Sequence, residues 1–62
     1  MDKVLFTIKG AASYLSVSRS TIYNMFEKGQ IRSMHIGKRR LIPRGDLDAF
    51  ITQQLEKELP AQ

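Results

Sequence analysis

A two-residue break between two helical patterns constrains the fold of this chain most. Apolar residues recur at helical spacing over residues 8–15 and again over residues 22–26, and only residues 16–17 separate the end of one pattern from the cap of the next. Such a break has room for a tight turn only. Gly29 then closes the second helix, because glycine adopts the left-handed conformation at little cost. The pattern predicts a helix-turn-helix over about residues 7–29.

After residue 30 the pattern changes from helical spacing to short runs rich in β-branched residues. These runs flank Gly37 and Lys38, and a glycine in the first central position suits a type II′ turn. We therefore predict a two-stranded hairpin, or wing, over about residues 31–42. Pro43 stops the second strand and starts a last helix over about residues 43–59. The apolar stripe of this helix comprises Leu47, Phe50, Ile51, Gln54, Leu55 and Leu59, and Pro60 ends it.

Size and composition set the outer limits of the fold. The chain has 62 residues, 42% hydrophobic and 26% charged, as in an ordinary water-soluble domain. With the element order, this predicts one small α+β domain over residues 1–62, a winged helix-turn-helix. The absence of cysteine excludes disulfides and thiolate metal sites. Because no stretch reaches the ~20 apolar residues that span a bilayer, and no signal-peptide core is present, we expect a cytoplasmic protein without a membrane partner.

The charges are unevenly distributed along the chain. Nine of the ten Lys and Arg residues lie in residues 1–44 with only two acids, whereas residues 45–62 hold one lysine and four acids. Such segregation predicts a cationic working surface followed by a segment that avoids polyanions. A basic protein that is merely soluble would have the same net charge, so the positions of the cations, and not their number, must indicate whether the protein binds DNA.

The second helix carries more polar side chains than its core stripe can use. A helix fits the major groove of DNA, where arginine pairs with guanine and asparagine with adenine through two hydrogen bonds. Near the helix N-terminus, Ser18 and Ser20 can donate to phosphates, but Ser18 can also act simply as the N-cap. For the charged residues, a solvated face is the alternative. We predict DNA contacts from Ser18, Arg19, Ser20, Thr21, Tyr23, Asn24 and Lys28.

The predicted hairpin turn is strongly cationic. Lys38, Arg39 and Arg40 lie at or beside its tip, where phosphates or a narrow minor groove would neutralise their mutual repulsion. Strand side chains alternate, so Arg39 and Arg40 point to opposite sides, and one can enter the groove while the other holds the flanking backbone. The alternative is an edge ribbon protected from aggregation by charge. Arg32 and Arg44 are weaker candidates for backbone contacts.

No constellation of residues indicates an enzyme. The one histidine, His35, lacks the acid or cysteine neighbours that a catalytic or metal site needs. Asp46 and Asp48 fall in the first turn of the last helix, where their negative charges interact favourably with the helix dipole. We therefore assign no catalytic residue, metal, cofactor or small-molecule substrate.

Four segments of the chain resemble one known family. Residues 7–12 (TIKGAA) and 15–23 (LSVSRSTIY) are similar to the helix-turn-helix of the excisionase-type, MerR-like family. Residues 36–43 (IGKRRLIP) and 46–51 (DLDAFI) resemble its wing and final helix, so the resemblance covers roughly residues 5–52. It implies a bacterial recombination directionality factor that binds repeated sites near the attachment site of a phage or integrated element, bends the DNA, and favours integrase-driven excision.

The partners expected on this basis are double-stranded DNA and a phage-type integrase. A domain this small buries little DNA surface, so neighbouring copies on DNA, or the integrase, would supply the remaining affinity. We expect such a protein to be associated with the nucleoid when bound. A small transcriptional regulator of a phage or mobile element with the same fold is the alternative. An adaptor whose basic face binds an acidic protein is a third.

Overall fold

The computed structural model describes residues 4–58, with the predicted elements in the predicted order and one additional strand. In chain order they are β1 (Leu5–Phe6), α1 (Ile8–Leu15), α2 (Arg19–Glu27), β2 (Met34–Ile36), β3 (Arg39–Pro43) and α3 (Arg44–Glu58). Helix-turn-helix, hairpin and last helix are all present, so the predicted winged helix-turn-helix is confirmed. The predicted end of the last helix at Leu59 and Pro60 lies outside the described residues.

Both helices of the corner begin at hydroxyl caps. Thr7 Oγ1 accepts a hydrogen bond from the Gly10 N–H at 3.0 Å, and Ser18 Oγ accepts one from the Thr21 N–H at 3.2 Å. Between the helices, Ser16 adopts a left-handed conformation with φ 59°, and its N–H donates to carbonyls at the end of α1. Because this closes α1 within one residue, α2 can begin immediately after the turn.

The two glycines predicted to shape turns both have positive φ. Gly29 follows α2 with φ 71°, and Gly37 opens the hairpin turn with φ 62°. Ile36 pairs with Arg39 across that turn, which leaves two central residues. A type II′ turn has a positive φ at its first central residue only. Gly37 meets this condition, and Lys38, the second central residue, does not have a positive φ. The predicted two-residue hairpin is therefore confirmed.

A short strand that the sequence analysis missed completes the sheet. β1 lies antiparallel to β3, with Leu5 opposite Pro43 and Phe6 opposite Ile42, so the strand order is β1-β3-β2. Pro43 therefore ends a strand and the last helix starts at Arg44, which corrects the predicted helix start at residue 43. Proline is tolerated at this place because its fixed φ is compatible with extended backbone. Two residues are too short to give an alternating pattern, so only the folded chain reveals β1.

The core lies where the helix-turn-helix, β3 and the start of α3 meet. Partly buried hydrophobic side chains, Phe26 and Phe50 among them, pack around it. Small side chains at the corner of the two helices let the helices approach closely. The buried residues are Ala11, Ala12, Ile22, Met25, Ile31, Ile42 and Leu47.

The stripe predicted for the last helix is buried only at its beginning. Leu47 is fully buried, Phe50, Ile51 and Gln54 are half-buried, and Leu55 is 61% exposed. Of the predicted packing stripe, Leu55 therefore does not pack against the core. With 15 residues, α3 rises about 22 Å, and its second half extends beyond the core. No helix within residues 4–58 is long and apolar enough to cross a membrane.

Candidate nucleic-acid interface

The buried side of α2 determines which of its residues face outward. Ile22 and Met25 are buried against the core. Since successive residues of a helix are rotated by about 100°, four exposed residues lie on the side opposite the buried pair. We call them the outer side of α2: Ser20, Tyr23, Asn24 and Glu27. Three of the four were predicted to contact DNA, and Glu27 was not.

The remaining predicted contacts of α2 lie at its ends and flanks. Arg19 is exposed in the first turn, next to the outer side, and Ser18 is the exposed N-cap. Thr21 is half-buried, with its Oγ1 3.1 Å from the Ser18 Oγ. Thr21, Asn24 and Lys28 border the groove between α2 and α3. The structure therefore groups Arg19 with the outer side, places Thr21 and Lys28 on the flank near α3, and puts Asn24 where the outer side meets that flank.

Glu27 introduces an acid into the outer side of α2. Its charge repels phosphates, but a carboxylate in the major groove can accept a hydrogen bond from the N4 amino group of cytosine. Glu27 was not among the predicted contacts, because an acid is not expected next to phosphates and the sequence alone does not show which side of the helix it occupies. A surface that reads bases can accommodate such a residue, whereas a purely electrostatic surface would exclude it.

The three cations of the hairpin have different surroundings. Lys38 lies in the turn, and Arg39 lies on the sheet face that also carries Leu41. Arg40 points to the other face, where its Cζ lies 4.0 Å from the centroid of the Phe26 ring. Its Nε also donates a hydrogen bond to the Ser33 Oγ at 2.9 Å. Arg40 is thus held against the protein itself.

Phe26 joins the hairpin to the outer side of α2. Its ring contacts the Arg40 guanidinium and also makes an edge-to-face contact with Tyr23, with centroids 6.1 Å apart and planes at 78°. The Phe26 ring therefore places Arg40 of the hairpin beside Tyr23 on the outer side of α2, whereas Arg39 lies on the opposite face of the sheet, near β1. Helical spacing places Phe26 with Ile22 in the apolar stripe of α2, but it does not reveal which side chain packs on the Phe26 ring.

Arg32 already has an anionic partner within the chain. Its Nε and Nη2 each donate to the Asp46 carboxylate at 3.0 Å, and its backbone N–H donates at 2.8 Å. The hydrogen bonds from Arg32 lower the pKa of Asp46, and the carboxylate raises the pKa of Arg32. The Arg32 side chain is nevertheless 84% exposed. Its charge is largely balanced locally, which is a weaker arrangement for binding phosphate than an unpaired cation.

Arg44 and Asp48 form a second polar link, at the start of α3. Arg44 Nε lies 3.9 Å from Asp48 Oδ2, and the Tyr14 hydroxyl donates to Asp48 Oδ1 at 2.6 Å. The Tyr14 ring also packs against Phe6, with centroids 4.9 Å apart. Only Asp46 lies in the first turn of α3, which corrects the predicted position of Asp48. The predicted dipole role is also incomplete, because each of the two acids ties α3 to another part of the chain.

No cluster of three or more His, Cys, Asp or Glu residues that could hold a metal ion occurs within residues 4–58. His35 is exposed on β2, in register with Arg40 of β3. The arrangement presents hydrogen-bonding side chains on a helix and cations on an adjacent hairpin. Its chemistry is that of noncovalent recognition of an anionic, groove-bearing polymer.

A family model for a helix-turn-helix domain matches residues 5–55, most of the chain. The chain belongs to the helix-turn-helix domain family. This helix-turn-helix chain is 32% identical over 60 residues to a protein of Saccharopolyspora erythraea described as "Probable excisionase". The alignment covers 97% of this chain and 61% of the relative, so the chain spans about three fifths of that relative's length. No solved structure matches the chain significantly.

These findings confirm the helix-turn-helix family predicted from the four sequence segments, and the description of the relative agrees with the predicted excisionase type. Membership in a helix-turn-helix family and the basic hairpin beside the outer side of α2 together support double-stranded DNA as the partner. The residues that make the contacts remain predictions from geometry and chemistry.

Proposed function

We propose that this protein is an excisionase that binds and bends attachment-site DNA and so promotes integrase-mediated excision of a phage or mobile element. One observation carries the DNA-binding part: the Arg40–Phe26–Tyr23 contacts hold the cationic hairpin beside the outer side of α2. A helix in the major groove with a cationic hairpin on the adjacent backbone or minor groove uses both of them. DNA in the nucleoid of a bacterial cytoplasm is then its place of action.

Excision, as distinct from DNA binding, is supported by similarity. The relative from Saccharopolyspora erythraea is described as a probable excisionase, and the aligned region covers nearly all of this chain. A directionality factor acts by changing DNA geometry within a recombination complex, a task that requires a DNA-binding surface and no catalytic group of its own.

The size of the protein favours binding by several copies. Bending a short DNA segment costs on the order of 1–6 kcal/mol, and one small module buries little DNA surface. Neighbouring copies on a repeated site, or the integrase, would supply the difference through effective concentration. We propose a monomer in free solution that occupies adjacent sites cooperatively. The acidic second half of α3 would face the basic side of the next copy.

Reconstituted recombination tests this proposal. Supercoiled plasmid carrying the element's two attachment sites is incubated with the cognate integrase, with and without this protein. We expect excision to increase strongly with the wild-type protein and to stay at the background level with Asn24→Ala. The control Ser13→Ala, exposed on α1 and outside both the predicted DNA contacts and α3, should stimulate excision as the wild type does.

The competing function, transcriptional regulation, has a different outcome. A regulator of this size would bind a promoter as a closed dimer on an inverted repeat, because two-fold protein symmetry is mirrored in the site. Absence of stimulated excision, together with a stable dimer on such a repeat, would contradict the excisionase proposal.

A further inference from the structure

One of the three hairpin cations, Arg40, is exposed but packs its guanidinium against the protein itself. We infer that Arg40 is a positioning residue that fixes the hairpin at a set distance from α2, while Lys38 and Arg39 make the hairpin's contacts with DNA. This inference rests on the proposed DNA-binding function and assigns different roles to three adjacent cations.

The contacts of Arg40 span three parts of the chain. From β3 its guanidinium reaches Phe26 of α2, at 4.0 Å, and its Nε donates to Ser33, in the segment between α2 and β2, at 2.9 Å. A planar guanidinium can stack on a ring face and donate a hydrogen bond in the plane at the same time. A lysine ammonium has the same charge but cannot satisfy both contacts in this geometry.

The hairpin has little else to hold its outer end. Met34, His35 and Ile36, the three residues of β2, are all exposed, and so are Arg39 and Arg40 of β3. Burial in β3 begins only nearer α3, where Ile42 enters the core. A two-stranded hairpin without a packed face is marginally stable alone. The Arg40 contacts therefore act at the part of the hairpin where burial contributes least.

Fixing the hairpin has a direct consequence for affinity. Lys38 and Arg39 can meet the backbone while Tyr23 and Asn24 lie in the groove only if the hairpin stands at one distance from α2. The apparent dissociation constant rises in inverse proportion to the population of this competent arrangement. Releasing the hairpin so that about one molecule in five is competent would weaken binding roughly fivefold.

The test compares one substitution at neighbouring positions. Arg40→Lys and Arg39→Lys both keep the charge, but only the first removes the stacked guanidinium. We expect Arg40→Lys to bind its best duplex about fivefold more weakly, with an unchanged dependence of affinity on salt. Arg39→Lys should stay within about twofold of wild type, since lysine also binds phosphate as a point charge. Equal affinities for Arg40→Lys and wild type would overturn the inference.

Phe26→Leu separates positioning from direct contact, because it leaves every cation in place. We expect a loss of about fivefold or more, because Phe26→Leu also removes the Tyr23 ring contact, and little further loss when Arg40→Lys is added, since the Arg40–Phe26 contact is then already broken. Additive losses would show that Arg40 contacts DNA itself. If Phe26→Leu does not fold, Ser33→Ala replaces it, with a loss of about twofold expected and none in the Arg40→Lys background.

Backbone ¹⁵N relaxation of the free protein provides a readout without DNA. The order parameters of residues 36–39 should fall in Arg40→Lys and Phe26→Leu and stay at wild-type values in Arg39→Lys. Unchanged order parameters in Arg40→Lys would overturn the inference even if the wild type binds DNA well. Failure of the wild type to bind any duplex at low salt would instead contradict the proposed function, and the relaxation data would still decide the role of Arg40.

Discussion

Ser18 shows how one side chain of α2 can have two roles. Its Oγ accepts the Thr21 N–H and so caps the helix. It is also exposed at a helix N-terminus, where free N–H groups and the helix dipole favour a phosphate. Capping explains why a serine stands at this position whether or not DNA is bound. The two roles can be separated by substitution. The stability of the fold depends on whether the side chain at position 18 caps the helix, whereas the affinity for DNA depends on whether that side chain is neutral or negatively charged beside a phosphate.

Ser18→Asp tests the second role while keeping the first. Aspartate is as good an N-cap as serine, so the free energy of unfolding should stay within about 0.5 kcal/mol of wild type. A carboxylate beside a phosphate should lower affinity roughly tenfold. Ser18→Ala is the complementary control, with about 1 kcal/mol less stability and a smaller effect on binding. Wild-type affinity for Ser18→Asp, measured by fluorescence anisotropy, would show that Ser18 is a cap only.

Asn24 is the residue of the outer side best suited to reading a base. Its exposed amide can pair with adenine through two hydrogen bonds. Asn24→Ala should therefore cost about 1–3 kcal/mol on the best site and less on random duplex. Gln53→Ala on α3 serves as the amide-removal control. Titrations of both variants on both duplexes decide the matter, and equal losses for Asn24→Ala on the two would mean that Asn24 does not read bases.

Polar ties connect α3 to the rest of the fold. Asp46 holds Arg32, in the segment before β2, and Asp48 holds Tyr14 of α1. The second half of α3 lies beyond the core, so these ties near its start supplement the burial of Leu47 in fixing its direction.

Replacing Asp46 by asparagine should change how stability depends on pH. Because hydrogen bonds from Arg32 lower the pKa of Asp46 in the folded state, the pair stabilises the fold above the pKa of the unfolded chain, about 4. This contribution is lost as the pH falls through the lower folded-state value. Asp46→Asn should thus be less stable than wild type at pH 7, and the difference should shrink toward pH 2.5. Denaturant titrations at several pH values measure this, with Glu56→Gln on α3 as control; a constant difference would contradict the assignment.

The hairpin tip should act through charge alone. Replacing both Lys38 and Arg39 by alanine should weaken binding to specific and random duplexes alike. It should also reduce the slope of log affinity against log salt concentration by about two. The fold should persist, because both side chains are exposed. Lys57→Ala, in the acidic part of the chain, is the control for a lost positive charge. A folded double variant with unchanged affinity and salt slope would exclude the tip as a DNA contact.

The sequence predicts those parts of the fold that local chemistry determines. The caps at Thr7 and Ser18 and the turn at Gly37 follow from side-chain hydroxyls and from glycine's freedom at positive φ. The strand Leu5–Phe6 could not be predicted, because its pairing with β3 is nonlocal. The exposure of Leu55 likewise depends on where the core ends. For the candidate site, the residue types were accessible, but the contact between Arg40 and Phe26 joins distant parts of the chain.

The distribution of charge gives the molecule two different ends. The hairpin and the outer side of α2, with Arg19 beside it, carry four exposed cations and one acid: Arg19, Lys38, Arg39, Arg40 and Glu27. The second half of α3 carries Glu56 and Glu58 with Lys57 between them. A polyanion should approach the first end and avoid the second. The same polarity would orient one copy beside the next on DNA, acidic α3 toward a basic side.

Chemical-shift mapping of the ¹⁵N-labelled protein with a duplex tests the DNA-binding surface most directly. Addition of DNA should shift the amide resonances of residues 18–28 and 36–40. The resonances of residues 51–58 of α3 should stay nearly unchanged when the protein is subsaturating, because bound copies are then not adjacent on the DNA. Shifts concentrated in α3, or none at low salt, would contradict the account.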